Sequence, residues 1–159
     1  MVTHDPEEAM SICDKVAVMN EGKIHQIDTP INLLNNPKTI FVSSFILGNN
    51  IVNLKKNGNS YMSCLGEINS SGGFQNANIK SMSISPKFIS IKRSESGDAI
   101  VISKEFLGEF LIYKVSINGN ILRVRTDINN HLNNGDKCSL SINKNSYYFL
   151  YPGAYKEYI

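Results

Sequence analysis

His4, in this chain of 159 residues, stands between Thr3 and Asp5 and directly before Pro6-Glu7-Glu8. An imidazole can donate from one ring nitrogen and accept at the other, but taken alone His4 reads as an ordinary, partly exposed histidine after a strand. Glu7 and Glu8 do not read as paired catalytic carboxylates. As helix neighbours they point in different directions, and the positive end of a helix favours acidic residues in its first turn. His25 falls on the polar face of a strand and His131 in an Asn-rich turn, so both are expected to be solvated. Cys13, Cys64 and Cys138 are far apart and odd in number, which fits neither a disulfide framework nor a CxxC pair. With the three histidines they give no metal-ligand spacing, and no metal site is expected in this chain. Arg123 and Arg125 lie two residues apart on one strand face, and Tyr147, Tyr148, Phe149 and Tyr151 cluster near the end. Basic and aromatic residues on such a face can bind single-stranded nucleic acid. The net charge of +2 argues against that partner.

The elements that position these residues fall into two textures. Asp5-Pro6-Glu7-Glu8 opens a helix with a cap, a proline and two carboxylates, and Ala9, Ile12 and Cys13 have the spacing of its inner face. Residues 15–19 read as a buried strand, Asn20-Glu21-Gly22 as a tight turn and residues 23–27 as a half-buried return strand. Thr29-Pro30 opens a second helix that carries Leu33 and Leu34 inward. Pro37 starts a third helix through Leu47, which Gly48 stops. Beyond Gly48 helical spacing ends. Short strands are expected over 50–55, 60–65, 80–84, 88–92, 98–106, 109–117, 120–126, 137–142 and 147–151, with a hairpin at Asn118-Gly119 and a loose loop over 66–78. That pattern predicts a mainly β fold, a small antiparallel barrel.

Hydrophobic content of 42% and charged content of 19% suit a folded protein. The longest apolar stretch, near Ile40 to Leu47, falls well short of the roughly 20 residues that cross a bilayer. Acidic residues near the start do not fit a signal peptide. The expected place is the cytoplasm, with membrane contact only through a partner.

The order of pieces carries a resemblance. Thr3-His4-Asp5-Pro6-Glu7-Glu8-Ala9-Met10 is followed by Asp14-Lys15-Val16-Ala17-Val18-Met19-Asn20-Glu21-Gly22-Lys23-Ile24, then by Gln26-Ile27-Asp28-Thr29-Pro30, Asn36-Pro37, Phe41-Val42 and Phe45-Ile46. The series resembles the C-terminal end of the ATPase subunit of ATP-binding cassette (ABC) importers, in the branch that handles sugars, polyamines, sulfate and ferric iron. Leu107-Gly108-Glu109, Leu122-Arg123-Val124-Arg125 and Asn134-Gly135-Asp136-Lys137 resemble the regulatory barrel of that branch, the OB-like TOBE domain. Ser85-Pro86-Lys87 departs from it, because family members commonly have Arg-Pro-Glu there.

The resemblance implies that residues 1–47 are the C-terminal remnant of an ABC nucleotide-binding domain, an α/β piece, and that 48–159 form the regulatory β-barrel. It makes His4 the switch histidine that reaches the γ-phosphate of ATP in the intact parent. No phosphate loop, signature motif or aliphatic run ending in Asp-Glu occurs. ATP and Mg are therefore cofactors of the parent, and this chain alone is expected not to hydrolyse ATP. The implied partners are a second copy and the permease subunits, on the inner face of the cell membrane, with the barrel open to a regulatory protein or small ligand. Ile12-Cys13-Asp14 and the approach to Asn49-Asn50 most resemble ferric-iron importers. The competing reading is a stand-alone OB-like module that binds a small oxyanion or nucleic acid.

Overall fold

The computed structural model of the chain describes residues 1–69, 80–142 and 147–150, with Asn69 and 148–150 by backbone alone. It is mainly β, and every ladder is antiparallel.

The chain opens with α1 (Pro6–Ile12), the hairpin β1 (Val16–Asn20) and β2 (Lys23–Asp28), α2 (Pro30–Asn35) and α3 (Ile40–Leu47). Asp5, Thr29 and Thr39 each accept a backbone N–H at the start of a helix, which satisfies donors that have no partner within it. α3 starts at Ile40 and not at Pro37, because Thr39 supplies the cap. It ends as expected at Gly48, whose φ of 58° is the left-handed conformation that glycine adopts without penalty. The pattern of burial departs from expectation. α1 has no buried residue, and Ile12 and Leu34 are exposed; Leu33 alone of its pair turns inward. β1 is buried only at Val18. These helices and the hairpin share one small cluster built on Val18, Leu33 and Val42. Side chains of this size contribute about 1.5–3 kcal/mol each when buried, so so few hold the unit only marginally.

After Gly48 come β3 (Asn50–Asn53), β4 (Lys55–Asn57), β5 (Ser60–Ser63), β6 (Gly66–Asn69), β7 (Ser81–Ile84), a 3-10 turn at Pro86–Phe88, β8 (Ile89–Arg93), β9 (Ala99–Phe106), β10 (Phe110–Ile117), β11 (Asn120–Asp127), β12 (Lys137–Ile142) and β13 (Tyr147–Leu150). The expected strand over 50–55 is split in two. Part of the expected loop over 66–78 is instead β6, which pairs back on β5; the remainder, with Gly72-Gly73, lies outside the described residues, as does Tyr151. The ladders form three sheets, ordered β11-β10-β9-β12-β8, β13-β7-β3 and β4-β5-β6. They wrap one core that includes Val52, Tyr61, Met82, Ile89, Val101, Tyr113 and Val124. Tyr113 is fully buried, and its hydroxyl reaches the carbonyls of Asn130 and Leu132, fixing the loop after β11.

Two polar devices join the helical unit to the sheets. Ser43 on α3 meets Ser83 on β7, and Asn49 donates to Ser83 at 3.0 Å. The next residue, Asn50, accepts from the Arg123 N–H at 2.7 Å and donates to the Arg123 carbonyl at 2.8 Å. β11 is an edge strand, and this one amide satisfies both backbone groups that its edge presents at Arg123. Asn50→Ala is expected to cost about 2–3 kcal/mol, because two part-buried backbone groups lose their partner. That corresponds to a fall in Tm of roughly 5–15 °C. Asn50→Asp keeps one acceptor and should fall between; equal melting of all three proteins would contradict the role.

Candidate functional site

His4 sits on a stiff turn. The Asp5 N–H donates to Thr3 Oγ1 at 3.1 Å, and Asp5 Oδ1 accepts from Glu7 N at 2.9 Å and Glu8 N at 3.3 Å. The two neighbours of His4 are thereby tied to α1, while the imidazole itself is exposed. The ring is thereby open to whatever approaches.

The other two histidines part company. His131 is exposed, as expected. His25 is buried, contrary to the expectation that it is solvated. The register of β1 against β2 skips at this point: Val18 faces Gln26 and Met19 faces Ile24, leaving His25 as the bulged residue. A bulge breaks the alternation of faces, so His25 and Gln26 both turn toward the helices. His25 Nδ1 lies 3.2 Å from Thr39 Oγ1, and its ring packs on Phe41. Gln26 donates to the Asn36 carbonyl and accepts from the Lys38 N–H, pinning the connection between α2 and α3. His25 is thus a packing residue beneath the cap of α3.

Asp28 shows how the same region depends on charge. Its carboxylate accepts from the Asn32 amide at 2.8 Å and from the Thr29 N–H at 3.0 Å, which holds its pKa below the ordinary 3.8. A lowered carboxylate pKa adds stability that is present above 3.8 and lost as pH falls through the lower folded value. The Asn32 and Thr29 signals should therefore shift during acid titration in an NMR experiment, and Asp28→Asn should abolish that step. Persistence of the step in the variant would assign it to another group.

Cys13, Cys64 and Cys138 are free thiols. Burial pushes the thiols of Cys64 and Cys138 up, which makes them poor nucleophiles. Among the described residues no three His, Cys, Asp or Glu side chains converge to hold a metal ion, and no helix is long and apolar enough to cross a membrane.

Immediately beside the His4 turn a cleft of about 530 Å³ opens between the start of α1, the end of α3, the Ser85–Lys87 stretch and the adjoining ends of β10 and β11. Asp5 and Glu7 line it from α1. Lys87 lines it from the 3-10 turn and Arg123 and Arg125 from β11, and all three are exposed. Arg125 is stacked over the ring of Phe110 at 3.7 Å from the centroid. The two arginines share a strand face as the sequence predicts, but it is their meeting with Lys87 that the sequence conceals.

No family model matches the chain. An import ATP-binding protein is what part of it resembles, at a level of identity that establishes homology over that part. Over 61 residues the chain is 57% identical to the spermidine/putrescine import ATP-binding protein PotA of Bacillus thuringiensis (strain Al Hakam), a stretch covering 38% of this chain and 18% of that protein. Over 51 residues it is 57% identical to PotA of Desulfitobacterium hafniense (strain Y51), covering 32% of this chain and 15% of that protein, and likewise to PotA of Trichormus variabilis, covering 13% of that protein. The chain thus spans less than a fifth of the length of these curated relatives. The matched part is similar to import ATP-binding proteins.

Proposed function

We propose that this chain is a C-terminal part of the ATP-binding subunit of an ABC importer, and that His4 is the residue that meets the γ-phosphate of ATP in the whole subunit. The observation that carries the reading is the identity of 57% over 61 residues to import ATP-binding proteins, together with a histidine held on a capped turn. Phosphoryl transfer depends on positioning and charge stabilisation, and a donor on a rigid turn supplies both. ATP and Mg would be held by residues outside this chain's motifs, and His4 would contribute only its N–H. Residues 1–47 belong to the nucleotide-binding domain in this reading, and 48–159 to a regulatory β domain of the TOBE type. The division at residue 48 is supported by the two separate apolar clusters on either side of it.

The cargo proposed is a polyamine. The names of the relatives favour spermidine and putrescine over the ferric iron suggested by the sequence. The working unit is a homodimer docked on permease subunits at the inner face of the membrane, and the β domain contributes to the contact between copies.

The test is a graft. The corresponding C-terminal part of the Bacillus thuringiensis protein is replaced by this chain in cells lacking their own polyamine importer, and spermidine uptake is followed with labelled substrate. Uptake restored by the graft supports the reading. A well-expressed, ATP-binding graft without uptake would refute it.

A further inference from the structure

We propose that the cleft beside the His4 turn binds a small organic phosphate, with Arg123, Arg125 and Lys87 holding the phosphate and Phe45, Leu107 and Phe110 covering the apolar body. This site stands on residues of the cleft itself and does not depend on the importer reading.

Three observations carry it. First, Lys87, Arg123 and Arg125 line one cleft from a turn and a strand that lie far apart in sequence, with the Lys87 ammonium at its rim, over the Phe88 ring at 4.9 Å. Among the described residues no carboxylate pairs with any of them; Arg93 and Asp136 form the ion pair seen elsewhere on the sheet. The three cations outnumber the two carboxylates of the cleft, Asp5 and Glu7, and a bound anion relieves the repulsion that remains among them. Second, the arginines are pre-arranged. The backbone of Arg123 is fixed on both its N–H and its carbonyl by the Asn50 amide, and the Arg125 guanidinium lies on the Phe110 ring. Stacking leaves the edge of the guanidinium free for in-plane hydrogen bonds, the geometry that pairs two N–H groups with two phosphate oxygens. Residues two apart on a strand stand about 7 Å apart, close enough for both forks to reach one phosphate. Third, the remaining wall is apolar and open: Phe45 and Leu107 are each nearly half exposed. That surface gains from covering by an aromatic or aliphatic group.

Size and sign narrow the ligand. The cleft holds a molecule of metabolite size and no more. Asp5 and Glu7 close it on the α1 side, so a long polyanion would meet carboxylates after its first phosphate. A compact monoester puts its charge on the arginines and keeps clear of them.

The experiment is an NMR titration of the isotope-labelled chain with phenyl phosphate at constant ionic strength, in parallel with inorganic phosphate and with chloride. Expected are saturable shifts at Gly48, Lys87, Phe110 and Arg123, with a Kd in the millimolar range or tighter for phenyl phosphate and weaker binding of inorganic phosphate. The double variant Arg123→Gln, Arg125→Gln should weaken binding about tenfold or more. Lys87→Gln should weaken it by several-fold and serves if the double variant does not fold. Lys56→Gln, on the exposed strand β4, should leave it unchanged. Shifts that fail to saturate or that match chloride would overturn the proposal, as would a folded double variant that binds phenyl phosphate as the parent does.

Discussion

Replacing His4 by alanine in the grafted importer subunit is expected to lower ATP-driven spermidine uptake by about 100- to 1,000-fold, the usual loss when one positioned donor to a developing oxyanion is removed. ATP binding should change little, because the histidine meets only the terminal phosphate in the proposed role and other residues hold the nucleotide. The variant should also fold normally. His4 is exposed, and the turn that carries it is maintained by Thr3 and Asp5. Loss of uptake with binding retained separates a role in turnover from one in affinity. A Thr3→Val companion, which removes the acceptor of the Asp5 N–H, should loosen the turn and cause a smaller loss. Uptake at the parental rate in His4→Ala would end the assignment of His4.

Gly97→Ala is expected to be the most damaging of the glycine-to-alanine substitutions in the β domain. A methyl group built at Gly97 would lie 2.1 Å from the Cys138 carbonyl oxygen and 2.4 Å from its carbon. Neither neighbour can give way cheaply, because both belong to the backbone of β12. Cys138 pairs with Arg93 on β8 and with Ala99 on β9, so displacing it opens two ladders at once. Overpacking of this kind costs about 3 kcal/mol, which should lower Tm by about 6–12 °C. Gly119→Ala makes the contrast. It meets no atom within 4 Å but has φ of +75°, so it pays only the left-handed strain of about 1–2 kcal/mol. Urea melts of the two variants check the order, and a Gly97→Ala protein as stable as Gly119→Ala would show that the turn yields more easily than its packing implies.

What the sequence disclosed was local. Asp5-Pro6, Thr29-Pro30 and Gly48 mark helix ends because the cap, the ring and the positive φ act within one turn, and all three stand where expected. Asn118-Gly119 marks a hairpin for the same reason, with φ of 47° and 75° at the two positions. What stayed hidden depends on partners far along the chain. His25 reads as solvent-facing until the skip in register of its own hairpin is known. Gly66–Asn69 reads as loop because its polar composition gives no strand signal; pairing with β5 creates the strand. Asn50 and Arg123 are 73 residues apart, and no pattern in either neighbourhood announces their contact. Lys87 joins the two arginines only once the sheets have closed around the core. Of the candidate site, His4 was legible from the resemblance alone, whereas the cleft beside it is a product of topology.

Gly48 closes α3, and by Asn50 strand β3 has begun, with Asn49 and Asn50 both already bonded into the sheets. The passage from helix to strand therefore has no slack. A tether of flexible residues would let the two parts wander independently; here a rotation of α3 must carry the β domain with it as a lever follows its axle. A tilt of α3 would reach β7 through the Ser43–Ser83 and Asn49–Ser83 contacts.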